Sequence, residues 1–123
     1  MSIRASALVL LATVLGANAA AQCPSVHVFG ARETTAPAGF GTAGSVVSSI
    51  VAAYSGATSE AINYPACGGQ SSCGGASYAS SEQQGVAAVT TAVNSFNSRC
   101  PNTVLVLVGY SQVCAPCTVP GRR

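Results

Sequence analysis

The sequence predicts an α/β protein: a parallel sheet covered by helices, in the order β-α-β-α-β. Three observations carry this. Residues 103–108, Thr-Val-Leu-Val-Leu-Val, form a continuous apolar run of strand length, the pattern of a strand buried on both faces. Residues 25–31, Ser-Val-His-Val-Phe-Gly-Ala, are rich in β-branched and aromatic side chains. Between these two segments, apolar residues recur twice at helical spacing, with a short strand-like stretch separating them.

In chain order, residues 25–31 form the first strand. Residues 32–41 carry Pro37, Gly39 and Gly41 and read as a loop. Val46, Val47, Ile50, Val51 and Tyr54 fall on one helical face, and that helix stops near Gly56. Residues 59–64 make a second short strand, ended by Pro65. Residues 67–75, rich in Gly, Ser and Cys, form a surface loop. A long helix follows over roughly residues 80–99, with Val86, Val89, Val93 and Phe96 on one face. Ser80 with Gln83 three residues on suits a capping box, and Gly85 weakens the turn that contains it. The apolar run at 103–108 is the last strand. Three strands and two helices leave an edge and one face of the sheet uncovered.

Composition excludes several functions. Only 7% of the 123 residues are charged, and the net charge is +2. The five basic residues are all Arg, and three of them (Arg4, Arg122 and Arg123) lie at the two ends of the chain. No basic run exists to follow a phosphate backbone, so no nucleic-acid partner is expected. His27 is the sole histidine and Asp is absent. A Ser-His-Asp triad therefore cannot be completed within these residues, and His-rich or Asp-rich metal sites are excluded.

Arg4, the apolar run at residues 5–15 and the small residues up to Ala21 read as a secretory signal peptide over 1–21, cut after Ala19 or Ala21. The apolar run is shorter than the roughly 20 residues of a membrane span. The expectation is thus an extracellular protein with no membrane association after cleavage. An oxidising compartment makes disulfides the default reading of the cysteines. Cys67 and Cys73 are close enough in sequence to close locally. Cys23 at the start of the mature chain and Cys100 at the end of the long helix are candidates for a long-range staple. A zinc site is disfavoured, since the one histidine lies within a strand. No metal and no cofactor are expected.

The last strand runs into Gly109-Tyr110-Ser111-Gln112. A strand ending in Gly-x-Ser is the first half of a nucleophile elbow, a sharp turn that lifts a serine Oγ above the sheet. The usual closing glycine is replaced by Val113. The same three residues also suit an ordinary turn at a strand end.

Three segments resemble the fungal acetylxylan esterases of carbohydrate esterase family 5, the cutinase-like serine esterases. They are Cys23-Pro24-Ser25-Val26-His27-Val28-Phe29-Gly30-Ala31-Arg32-Glu33-Thr34-Thr35, the stretch from Asn63 to Gly75, and Val106-Leu107-Val108-Gly109-Tyr110-Ser111-Gln112. The resemblance implies a cutinase-like α/β-hydrolase fold over residues 22–112, ending just past the nucleophile strand. It implies Ser111 as the nucleophile, with Gln112 and Thr34 as the oxyanion-hole residues. It also implies the disulfides Cys23–Cys100 and Cys67–Cys73. Acetylated plant cell-wall polysaccharide would be the substrate and the protein a monomer. Cutinase acting on lipid polyester is a second possibility within the family.

The pattern is lost from Val113 onward. No residue matches the family's triad Asp and His, and His27 lies in the first strand. Residues 113–123 hold Pro116 and Pro120 and no helical period, so they read as an aberrant tail, of the kind an unspliced intron or shifted frame produces. Its Cys114-Ala115-Pro116-Cys117 has the redox Cys-x-x-Cys spacing but lacks a thioredoxin-like context. The chain is therefore expected to be a truncated and inactive form of the esterase. A reading from another class is a small, disulfide-stapled secreted binding protein without catalysis.

Overall fold

The computed structural model describes residues 22–112. Residues 1–21, where a signal peptide is expected, and residues 113–123, expected as an aberrant tail with Cys114 and Cys117, lie outside the described residues. Five principal elements follow in the predicted order: β1 (Val26–Ala31), α1 (Gly44–Ala53), β2 (Thr58–Ala61), α2 (Tyr78–Arg99) and β3 (Val104–Gly109). Short 3-10 turns at Gly41–Ala43 and Ser71–Cys73 interrupt the two longer loops.

The strands form one parallel sheet in the order β2-β1-β3. That order has a consequence for the helices. The chain steps from β1 to β2 in one direction, then returns past β1 to reach β3. Right-handed crossovers in opposite directions put the two connecting helices on opposite faces. The packing agrees. Val47, Ile50 and Val51 of α1 meet Val26, Val28, Val106 and Val108 on one face. Val89 and Phe96 of α2 meet Phe29, Ala31 and Leu105 on the other. Alternate residues of β1 thus serve two separate cores, and all six of its residues are buried.

Three expectations need correction. Each sheet face carries one helix, so neither is left bare. β3 does not have the double burial that its apolar run suggested: Val104 is 60% exposed and Leu107 is 36% exposed. Among the described residues β3 is a sheet edge, with a neighbour on one side only. Double burial belongs instead to β1, whose neighbours stand on both sides. In α2, the cap is Ser77 rather than Ser80: the Ser77 hydroxyl accepts the Ser80 N–H at 3.2 Å. Val86 is 40% exposed, and the buried face holds Ser81, Gly85, Val89 and Phe96. Gly85 is there because the ring of Tyr64 lies over it; a Cβ would sit 3.1 Å from Tyr64 Cδ2.

Both anticipated disulfides are formed, Cys23–Cys100 and Cys67–Cys73. In the chain-entropy picture the long link contributes about 4 kcal/mol and the short one about 2 kcal/mol. The first ties the entry to β1 to the end of α2. The second closes the loop after β2, which borders the candidate site.

Candidate active site at the ends of β1 and β3

In a sheet of order β2-β1-β3, α1 leads out of β1 across one face and α2 leads into β3 across the other. The crevice beyond the carboxyl ends of these strands is where open α/β sheets bind ligands. Ala31 pairs with Gly109 as the last rung of the β1–β3 ladder. Thr34 lies three residues beyond this rung and Ser111 two. The topology alone therefore brings the loops of Thr34, Ser111 and Gln112 to one end of the sheet.

Ser111 is exposed and has φ of 61°, a left-handed conformation uncommon for a residue with a side chain. Tyr110 before it is also exposed, while Gln112 after it turns fully inward. The Gln112 amide is held by three partners. Nε2 donates to the carbonyls of Cys67 at 3.1 Å and Tyr78 at 3.3 Å. Oε1 accepts from the Ser81 hydroxyl at 3.3 Å. The inward side chain thus fixes the turn that presents Ser111.

The loop after β1 is held from below by a buried arginine. The Arg32 guanidinium donates from Nε to the Ala36 carbonyl at 3.0 Å and from Nη2 to the Tyr64 carbonyl. The Tyr64 hydroxyl donates in return to the Arg32 carbonyl, and the guanidinium carbon stands 5.2 Å from the Tyr64 ring centroid. Burial pushes the Tyr64 phenol pKa above its ordinary value, which keeps it a donor. Thr35 has φ of 66°, and its N–H donates to the Ala66 carbonyl at 2.6 Å. The Thr34 hydroxyl is buried and has no hydrogen-bond partner among the described residues.

The Ala66-Cys67-Gly68 segment touches both loops. Ala66 bonds Thr35, Cys67 bonds Gln112, and a Cβ on Gly68 would lie 3.5 Å from Thr34 Cγ2. Thr34, Ser111 and Gln112 are therefore brought to one region, with the stapled loop beside them. Arg32 and Ser81, which brace the site, escaped the sequence reading. Arg32 reaches the Tyr64 carbonyl 32 residues on, and Ser81 joins the Cys67 N–H, 14 residues before it, to the Gln112 side chain, 31 residues after it, relations that no local spacing encodes.

Glu33 and His27 are engaged elsewhere. Glu33 accepts from the Thr42 N–H at 2.9 Å and the Thr42 hydroxyl at 2.7 Å, which lowers its pKa. His27 is buried in β1 level with Leu105, roughly 13 Å along the strands from Gly109 at the usual rise per residue. Its Nδ1 meets Thr58 Oγ1 at 2.6 Å and its Nε2 lies 3.5 Å from Glu60. Both partners belong to the β2 region, on the side of β1 away from β3. Among the described residues no three His, Cys, Asp or Glu side chains cluster to hold a metal ion. No helix among them is long and apolar enough to cross a membrane.

Comparison with known proteins matches this arrangement to one family. The family model for cutinase matches residues 22–118. The chain is 62% identical over 111 residues to acetylxylan esterase 2 of Talaromyces purpureogenus, covering 82% of this chain and 47% of that protein. It is 64% identical over 111 residues to cutinase 11 of Verticillium dahliae, covering 87% of this chain and 38% of that protein. A 0.90 Å structure of acetylxylan esterase superposes with a TM-score of 0.73 at 69% identity, covering 74% of this chain and 44% of the other. The chain thus spans about half or less of the length of these relatives.

Proposed function

The chain belongs to the cutinase family, and on that premise we propose that it carries the nucleophile and oxyanion-binding part of a secreted carboxylic ester hydrolase. The observation that carries the reading is the placement of Ser111. A serine held left-handed and exposed two residues beyond a parallel strand, at the carboxyl end of the sheet, is what a nucleophile elbow requires.

In this reading the Ser111 Oγ attacks the carbonyl carbon of an acetyl ester as a base takes its proton. The N–H groups of Gln112 and Thr34 receive the negative oxygen of the tetrahedral intermediate. Collapse breaks the ester C–O bond, the sugar oxygen takes the proton, and the acetyl group stays on Ser111. Water then attacks the acyl-enzyme, releasing acetate and returning the proton to Ser111. The similarity to the Talaromyces acetylxylan esterase favours acetylated xylan as substrate. The Verticillium relative supports a second reading, a lipid polyester.

The base is not among these 123 residues. They contain no Asp, and His27 is buried against Thr58 and Glu60 of β2, roughly 13 Å along the strands from Gly109. The polypeptide by itself is therefore expected to show no turnover of 4-nitrophenyl acetate. The test of the reading is a chimera joining residues 22–112 to the remaining C-terminal part of the Talaromyces esterase. It should hydrolyse 4-nitrophenyl acetate, and Ser111→Ala should lower kcat by at least about a thousandfold. A folded chimera whose rate is unchanged by Ser111→Ala overturns the proposal. Comparison of 4-nitrophenyl acetate with 4-nitrophenyl palmitate separates the two substrate readings.

A further inference from the structure

We propose that Ser81 is a positioning residue for the oxyanion hole, acting on the Gln112 backbone through the Gln112 side chain; the proposal rests on the reading of Ser111 and Gln112 given above. Ser81 lies at the start of α2 and is fully buried. Its hydroxyl accepts the Cys67 N–H at 2.9 Å and donates to Gln112 Oε1 at 3.3 Å. The direction of this chain follows from the chemistry of its members. Gln112 Nε2 faces the carbonyls of Cys67 and Tyr78, which can only accept, so the nitrogen end of the amide belongs there. Oε1 is left as an acceptor. The Ser81 oxygen already receives the Cys67 N–H, and its own proton completes the bond to Oε1.

One hydroxyl therefore connects three segments: the stapled loop, the first turn of α2 and the residue that follows the nucleophile. A left-handed Ser111 persists only where its surroundings hold it. Gln112 is the adjacent residue, and its side chain is anchored at both ends of the amide. The loop that anchors it also accepts the Thr35 N–H through Ala66, so the two oxyanion loops share one frame. Without the Ser81 hydroxyl, the Cys67 N–H and Gln112 Oε1 lose their partners together, and the amide end of Gln112 is released on one side. Ser81 itself needs no contact with the reacting atoms.

The test has two measurements on separate footings. In the 123-residue chain, amide hydrogen exchange by NMR should find the Cys67 N–H and the Gln112 side-chain NH2 protected. Ser81→Ala should speed exchange at both by at least tenfold and shift the Gln112 backbone amide, with Val28 and Phe29 of β1 unchanged. Ser81→Thr, which keeps the hydroxyl, should restore the protection. Unprotected groups in the parent chain overturn the proposal, as does a Gln112 amide indifferent to Ser81→Ala. Loss of β1 protection in Ser81→Ala would make Ser81 a general stability residue and overturn it too. In the chimera described above, Ser81→Ala should lower kcat about tenfold with KM changed less than twofold, and Ser81→Thr should recover most of it. An unchanged kcat overturns the proposal. A parent chimera that folds but is inactive overturns the esterase reading instead, and with it the catalytic meaning of Ser81.

Discussion

His27 of β1 lies face to face with Phe96 of α2, ring centroids 3.9 Å apart and planes 17° from parallel. Phe29 meets the same imidazole edge-on at 4.6 Å. The sole histidine is thus a core residue, wedged between two aromatic rings and bonded to Thr58. This placement explains why it contributes to the sheet and not to the site.

Acid should weaken the fold through this group. Burial pushes the His27 pKa below its ordinary value, only partly opposed by the Glu60 carboxylate; Arg99 lowers it further. The unfolded chain therefore binds a proton at a pH where the folded chain still resists it. Stability from neutral His27 is complete above about pH 6.5 and is lost as pH falls through the depressed folded value. Thermal unfolding followed from pH 8 to pH 5 should show a falling Tm below about pH 6.5. His27→Gln should flatten that part of the profile, and an equally steep profile in the variant would count against it.

Gly85→Ala tests helix propensity against packing. In an exposed helix this change stabilises by about 1 kcal/mol. Here the new Cβ would sit 3.1 Å from Tyr64 Cδ2. Tyr64 is buried, and its hydroxyl is committed to the Arg32 carbonyl, so the ring has little freedom to retreat. Overpacking costs about 1–3 kcal/mol. We expect a net loss of about 1 kcal/mol in urea unfolding. A stabilised variant would mean that the ring moves freely.

Periodicity in the sequence was enough to locate the strands and helices, because apolar spacing in β1, α1 and β3 reflects backbone geometry directly. The exposure of β3 is hidden from its own sequence for a physical reason. A strand's own residues cannot report whether a neighbour stands on its far side, so Val104 and Leu107 look like core and are exposed. In α2, Val86 and Gly85 are adjacent and point about 100° apart, and the apolar one takes the outer position. The reason is the Tyr64 ring, contributed by a loop some 20 residues upstream. The site divides in the same way. Gly109-Tyr110-Ser111 announces itself through local backbone requirements. Arg32 and Ser81 serve carbonyls and an amide that only the tertiary fold brings near, and a lone Arg or Ser gives no pattern to read.

Ser111→Gly should raise stability while removing the nucleophile. At φ of 61° a residue with a Cβ is strained and glycine is not. Left-handed non-glycine residues cost about 1–3 kcal/mol. The side chain is exposed, so its removal forfeits little packing. In the chimera we expect an increase of about 1 kcal/mol by urea unfolding, together with loss of ester hydrolysis. A neutral or destabilising Ser111→Gly would show that the turn carries no strain for glycine to relieve.

Arg32→Met tests whether a buried charge with no acidic partner among the described residues holds the loop of Thr34. The guanidinium is satisfied by the carbonyls of Ala36 and Tyr64 and rests on the Tyr64 ring. Methionine can fill much of the volume but donates nothing. Two carbonyls then lose their charged donor in a largely dry setting, at about 1–3 kcal/mol for each group left unpaired. Arg32→Lys keeps the charge, yet a single ammonium cannot reproduce the spread of Nε and Nη2 donors across two loops. We expect Arg32→Met to cost about 3 kcal/mol, with Arg32→Lys recovering less than half. In the chimera, both should lower kcat more than they raise KM, because the displaced loop carries an oxyanion donor. If Lys restored full stability and rate, charge alone would suffice and the two-carbonyl bracket would be incidental.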